Sequence, residues 1–270
     1  MIKKFLPLFV AIVLTACTTS PTGRSQLMLI SPQQAIVASE QAYQQALMPL
    51  QNQGKIDSNI TTSGRVREIT GKIVAQAVIL FPHTSDWKWS VRVIDDPETV
   101  NAWCMAGGKM AIYTGLIDKL EATDDEIAQV MGHEISHALA NHTAERMSMV
   151  LASQLGLMGV ALALGDNQYK EAIIAGSSIA ATTAITLPNS RTSESEADQI
   201  GIELAARAGY DPRAAGTLWE KMAKVGNGGP PQFLSTHPSP ENRQKVLQGL
   251  AQEMMDYYRA PGKRPVHPLN

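Results

Sequence analysis

Cysteine is nearly absent, with only Cys17 and Cys104 in 270 residues, so a fold stapled by disulfides is excluded. Aromatic residues make up only 5% of the chain. Many-stranded β sandwiches draw on aromatic and β-branched side chains, whereas the frequent Ala-rich apolar stretches here suit close-packed helices. Basic charge is not in excess: 23 Lys and Arg face 25 Asp and Glu, and no basic block is present to follow a phosphate backbone. Nucleic acid is therefore not an expected partner. No repeat of fixed period occurs, which excludes a solenoid extension. What is present is 44% hydrophobic residues, enough for one sizeable core or two small ones. The expected class is α+β, mostly helical, with a small antiparallel sheet.

Residues 1–16 carry Lys3 and Lys4, an apolar stretch from Phe5 to Leu14 and small residues leading into Cys17. This is the layout of a secretory signal, too short for an ordinary transmembrane helix. Leu14-Thr15-Ala16-Cys17 resembles the bacterial lipobox, which implies cleavage before Cys17 and acylation of that residue. Several acyl chains anchor a protein stably on a membrane without spanning it. By analogy with Gram-negative lipoproteins, Thr18 in place of Asp points to the outer membrane, facing the periplasm. Residues 17–30 are polar and rich in turn formers, and read as a lipidated tether. Cys104, in an apolar run, reads as a small buried hydrophobe.

A globular domain is expected over residues 31–258, with a loose tail over 259–270. Periodicity predicts helices from Pro32 to about Leu50 and from Ser63 to Leu80. Alternation predicts a strand from Trp87 to Ile94, followed by two more, Asn101 to Met105 and Lys109 to Thr114, around Gly107-Gly108. Thr123-Asp124-Asp125-Glu126 is a capping box that should open a helix running to about Val150. The apolar stretches 149–164 and 172–187 read as a helical hairpin, covering the active site of a soluble fold or embedded in a membrane. Helices are also expected over Glu194–Ala208, from Asp211-Pro212 to Lys224, and from Ser239-Pro240 to about Tyr257. A Gly- and Pro-rich loop spans 226–231.

His133-Glu134-Ile135-Ser136-His137 lies on the capped helix as an H-E-x-x-H motif. At about 100° per residue the two histidines stack one turn apart, so both imidazoles can reach one zinc ion with Glu134 beside them. A catalytic zinc takes three protein ligands and keeps one open position. His142 points away on a continuous helix, and the five-residue gap without Gly excludes the metzincin pattern. Glu194 is the better third ligand. Asp198, one turn later, can orient a ligating histidine, while Glu196 faces elsewhere. Ligand type favours zinc, one ion per chain. Zinc so held would lower the pKa of a water to about 7, and Glu134 could take that proton and pass it to the leaving amine of a peptide. For the oxyanion the candidate is His237, with Tyr210 and Arg243 behind it. His237 could instead fill the open zinc position and keep the site latent, or be a plain loop residue.

The combination of H-E-x-x-H with S-R-x-x-E-x-x-x-D at Ser190–Asp198 resembles the gluzincin peptidases of the HtpX and CAAX prenyl protease family, and within it the periplasmic lipoprotein members. The likeness extends upstream through Asn101-Ala102, Gly107-Gly108 and Tyr113–Ile117, and downstream to Thr236-His237-Pro238 and Arg243. It covers roughly residues 60 to 250. Ala106 stands where family members commonly have Pro. The resemblance implies a zincin-like metalloprotease domain acting on misfolded, unfolded or stalled envelope proteins, near the envelope assembly machinery. The strand residues Lys109, Met110, Ala111, Ile112 and Tyr113 could bind an extended substrate if they form a sheet edge, or could be a buried central strand. The alternative function is a noncatalytic, chaperone-like lipoprotein with a structural metal site. Retention of Glu134 argues against it, because a structural site needs no general base.

Overall fold

The structure is a computed structural model that describes residues 17–164, 190–225, 232–237 and 242–269. The chain groups into two compact units, residues 1–38 with 141–187 and residues 39–140 with 188–270, so the stretch 31–258 read as one domain is divided between them.

In the first unit, β1 (Cys17–Thr19) and β2 (Ser25–Leu27) pair antiparallel, with Cys17 opposite Leu27. The expected tether is therefore a hairpin. Gly23 at φ +89° supplies the turn, and the Ser20 amide bonds the Arg24 carbonyl at 2.8 Å. A helix of the same unit, His142–Leu164, holds this hairpin through Glu145. The Arg24 guanidinium donates to both Glu145 carboxylate oxygens at 2.6 and 2.7 Å, and Gln26 adds a third bond at 2.9 Å. Polar composition suggested a solvated linker, but these charge-assisted bonds fix it. Residues 165–189, which include the second apolar arm, lie outside the described residues, as do the loop 226–231 and Ser239-Pro240. Among the described residues no helix is long and apolar enough to cross a membrane.

The second unit carries the larger core. Helices in chain order are α1 (Pro32–Asn52), α2 (Ile60–Leu80), α3 (Thr114–Lys119), α4 (Asp124–Leu139), α5 (the His142–Leu164 helix of the first unit), α6 (Arg191–Arg207), α7 (Ala214–Lys224), α8 (Gln232–Thr236) and α9 (Arg243–Arg259). The Asn59 side chain caps α2 by accepting from the Thr62 amide, so that helix starts earlier than periodicity alone placed it. Thr123 and Glu126 cap α4 reciprocally, at 3.2 and 2.9 Å. Burial acts to raise the Glu126 carboxyl pKa, but bonds from Lys221, the Thr123 amide and Thr217 overcome it and leave it lowered. The predicted helix to Val150 breaks at Asn141, whose φ of +56° is a left-handed conformation that Asn tolerates.

Strands β3 (Ser90–Ile94), β4 (Ala102–Met105) and β5 (Lys109–Tyr113) form a sheet in the order β3-β5-β4. It is mixed, not the antiparallel sheet that chain order suggested. β4 and β5 form a hairpin with Gly107 and Gly108 at φ +81° and +76°, but β3 runs parallel to β5, Ser90 opposite Lys109. The connection over 95–101 carries the chain past β5 to its far side, and this leaves β5 central.

That placement corrects the proposed substrate strand. Both edges of Lys109–Tyr113 are taken by neighbouring strands, and four of its five residues are buried. Lys109 itself donates to the Lys88 carbonyl at 2.8 Å and pairs with Glu40 at 3.1 Å. Both β3 and β4 are outer strands of this sheet, but β3 is met by an antiparallel bridge between Ile94 and Ile56, whereas no bridge meets the outer side of β4 among the described residues.

The core gathers α2, the sheet, α3, α4 and α6 through Ile73, Met110, Ile112, Leu116, Ile127, Met131, Ile135 and Leu204, all fully buried. Each such side chain contributes about 1.5–3 kcal/mol by leaving water. From Glu126 to Leu139 every residue of α4 is buried, so the H-E-x-x-H helix is the axis of the unit and not a surface helix. The C-terminal residues are docked, against the expectation of a loose tail. Arg264 donates to the carbonyls of Tyr257, Tyr258 and Ala260 at the end of α9, and the His267 amide bonds Gly71 O at 2.9 Å. A Cβ on Gly71 would lie 2.8 Å from the His267 carbonyl, so glycine is what admits the segment.

Candidate active site

Two helices build the centre, and their crossing is set by glycine. A Cβ on Gly132 of α4 would stand 2.7 Å from the Gly201 carbonyl of α6, and one on Gly201 would stand 2.7 Å from the His133 amide. The backbones touch because neither residue has a side chain, and this brings Glu194 over the histidines. Ser190 caps α6 by accepting from the Ser193 amide at 3.1 Å, which fixes Glu194 in the first turn.

Four donors converge. His133, His137, Glu194 and His237 are all buried, and one ligand atom from each lies within 4.8 Å of the others. His133 Nε2 is 3.1 Å from His137 Nε2, 3.2 Å from Glu194 Oε2 and 3.3 Å from His237 Nδ1. His137 Nε2 is 3.4 Å from Glu194 Oε1, and His237 Nδ1 is 3.1 Å from that oxygen. Bonds of about 2.0–2.1 Å to a tetrahedral zinc put neighbouring donors about 3.3 Å apart, so the donor set fits zinc in type and spacing. The cluster of four does not include His142, which begins α5, or Glu196, which is buried on α6.

Behind the donors, Asp198 Oδ1 lies 3.0 Å from His133 Nδ1 and accepts from Arg243 Nη2 at 2.6 Å. A proton held on Nδ1 leaves the Nε2 lone pair for a metal. Burial disfavours protonation of His133, but Asp198 and Glu194 override it and carry its pKa to about 9. Burial likewise acts to raise the Glu194 carboxyl, and the imidazoles of His137, His133 and His237 instead hold it far below the carboxylate range.

Glu134 differs. Burial pushes its carboxyl pKa up, and His237, His133 and the Cys104 backbone amide only temper that. Its Oε1 has no hydrogen-bond partner although it is buried, and it lies 3.3 Å from His237 Nε2. An acceptor left open beside four metal donors is placed to take a proton. Cys104 is buried on β4, and burial together with Glu134 raises its thiol well above normal, so it is not a nucleophile.

Residues 61–251 match Peptidase family M48. The chain belongs to that family. Among its relatives, the mitochondrial metalloendopeptidase OMA1 of Bos taurus is 33% identical over 263 residues, covering 92% of this chain and 49% of that protein. The OMA1 protein of Arabidopsis thaliana is 37% identical over 179 residues, 66% of this chain and 35% of its own length. The beta-barrel assembly-enhancing protease of Escherichia coli is 32% identical over 164 residues, 58% of this chain and 33% of its own length. The chain thus spans half or less of the length of these relatives. His133, His137, Glu194 and His237 are the side chains of this family member that could hold a metal ion.

Of the three oxyanion candidates, Tyr210 is elsewhere. It lies under the Lys72 ammonium, 5.8 Å from the ring centroid, and burial and then Asp124, Glu68 and Asp125 raise its pKa. The M48 centre instead includes two aromatic residues that carried no motif. Phe233 stacks on His237 at 4.4 Å, and Trp219 lies under the Arg243 guanidinium at 3.8 Å. The spacing Phe233 to His237 is one helical turn, which is the signal that sequence reading passed over. For Gly132 and Gly201 the signal is a glycine in an otherwise apolar helical pattern, which marks close backbone approach.

Proposed function

We propose that this chain is a zinc endopeptidase that cuts unfolded or misassembled polypeptide at the cell envelope, held on the periplasmic face of the outer membrane by acylated Cys17. The buried Glu134 carboxylate beside the four donors, its Oε1 without a hydrogen bond and 3.3 Å from His237 Nε2, carries the peptidase reading, since a structural metal site has no use for a base there. The zinc would be held by His133, His137 and Glu194, and supplies a Lewis acid that turns water into a nucleophile near neutral pH. Glu134 takes the proton of the attacking water and delivers it to the leaving nitrogen. Asp198 holds the tautomer of His133 throughout.

Substrate pairs along β4. The bond from the Tyr113 amide to Asn101 O fixes the ladder phase, so the backbone groups of Ala102 and Cys104 point away from β5. The Cys104 backbone acts to lower the Glu134 carboxyl pKa, so this edge runs close to the base. An extended backbone added there is read through its amides, and that favours unfolded chains over particular side chains. The name of the E. coli relative, beta-barrel assembly-enhancing, supports a role near envelope assembly, whereas the OMA1 names are mitochondrial. For the anchor, Cys17→Ser should release the protein from the membrane fraction, and a chain that stays membrane-bound would overturn lipid anchoring.

His237 is read as a latch in the fourth zinc position, because its Nδ1 sits at ligand spacing from His133 and Glu194. Zinc-loaded protein should cut a chemically unfolded protein slowly, stop when a chelator strips the ion, and speed up in His237→Ala. An oxyanion role predicts the opposite, a fall of about 10²–10³-fold. No cleavage by either protein, with one zinc bound to each, would favour the noncatalytic alternative.

A further inference from the structure

We propose that Arg243 is a positioning residue, a single guanidinium that locks Glu194 and Asp198 together so that the ligand set is formed before the metal arrives. The inference rests on the metallopeptidase reading and assigns Arg243 a different task from the oxyanion role that sequence suggested. Arg243 is the first residue of α9, and its side chain is 4% exposed. Nη2 donates to Asp198 Oδ1 at 2.6 Å and Nη1 donates to Glu194 Oε2 at 3.3 Å. The two carboxylates are one turn apart on α6, so one planar fork bridges the carboxylate at the metal centre and the carboxylate that orients His133. Trp219 covers a face of the guanidinium at 3.8 Å and holds the fork in plane.

Position favours an indirect role. Arg243 Nη2 lies 3.5 Å from His133 Nδ1, behind the imidazole, whereas the metal donors and Glu134 gather on the Nε2 side. The guanidinium meets the donor side through Glu194 Oε2, and it acts through the residues it bonds. Charge supports the same role. Glu134, Glu194 and Asp198 are three buried carboxylates, and a dication with one guanidinium balances them, while loss of the guanidinium would leave a buried negative charge.

The test uses the full chain with Arg243→Lys and Arg243→Met, loaded with zinc or with cobalt(II). Lys keeps the charge but is a point donor that cannot bridge two carboxylates. Zinc affinity, measured by competition with a chelating dye, should fall about 10–100-fold in both variants, as for other residues that orient metal ligands. The visible cobalt bands should shift, and kcat should fall with KM unchanged. Arg243→Lys should recover part of the affinity lost in Arg243→Met. Wild-type affinity and an unshifted cobalt spectrum in folded Arg243→Lys would overturn the proposal, whatever its activity. Should Arg243→Met fail to fold, the Lys variant decides alone. Wild-type and His237→Ala chains that both hold zinc but cut nothing would sink the peptidase reading and leave the affinity comparison intact.

Discussion

Replacing Glu134 by Gln should lower the cleavage rate by about 10²–10⁴-fold while the protein keeps its zinc. The two side chains have the same shape, so the packing around position 134 is preserved and only the capacity to hold a proton is lost. Glu134 is not among the four converging donors, which is why metal content should not change. Its Oε1 has no hydrogen-bond partner, and its carboxyl is pushed above the ordinary range by burial, with Glu194 adding to that and His237 and His133 opposing it. A raised carboxyl is a better base than a solvated one near neutral pH. Cleavage and metal content measured on the same preparation decide the point. Cleavage at the wild-type rate would remove Glu134 from the mechanism, and loss of zinc would make it a structural residue of the centre.

Gly201→Ala should both destabilise the fold and strip the site. The new Cβ would stand within 2.7–2.8 Å of the His133 amide, the Gly132 carbonyl carbon and the His133 Cα, all backbone atoms that no rotamer change can move. Overpacking costs about 1–3 kcal/mol, more than the 0.5–1 kcal/mol or so that Ala gains over Gly inside a helix. For a unit of this size each kcal/mol shifts Tm by roughly 2–4 °C. Relief requires α6 to move away from α4, and Glu194 rides on α6 two turns before Gly201, so zinc affinity should fall with stability. Gly249→Ala on α9 is the control. No atom lies within 4 Å of its Cβ position, so that variant should be neutral or slightly stabilised. A Gly201→Ala protein with wild-type melting and zinc binding would show that the helix contact is not what sets the ligand spacing.

The converging side chains of α4 and α6 were legible because their signals are local. Two histidines one turn apart, a glutamate between them and a capping box at the helix start are all properties of consecutive residues, governed by helix geometry alone. The same holds for the helical class, for Glu194 with Asp198 one turn on, and for a three-strand sheet around Gly107-Gly108. Local patterns also misled where solvation was the only cue. The polar stretch after Cys17 and the Pro-containing tail both read as loose, yet Glu145 ties down the first and Gly71 admits the second.

By itself the sequence determined that two imidazoles and the Glu134 carboxylate share one helix face, and that a carboxylate pair follows on another. Tertiary structure alone decided what meets them. Sheet order put β5 in the centre and β3 and β4 at the edges, because the 95–101 connection crosses to the far side, a path no strand pattern encodes. Helix crossing at Gly132 and Gly201 brought together residues 57 apart, and Phe233 and Arg243 joined them from beyond position 230. Periodicity fixes which face of an element is apolar, but not which partner covers it, and so long-range packing had to select the fourth donor and the guanidinium behind it.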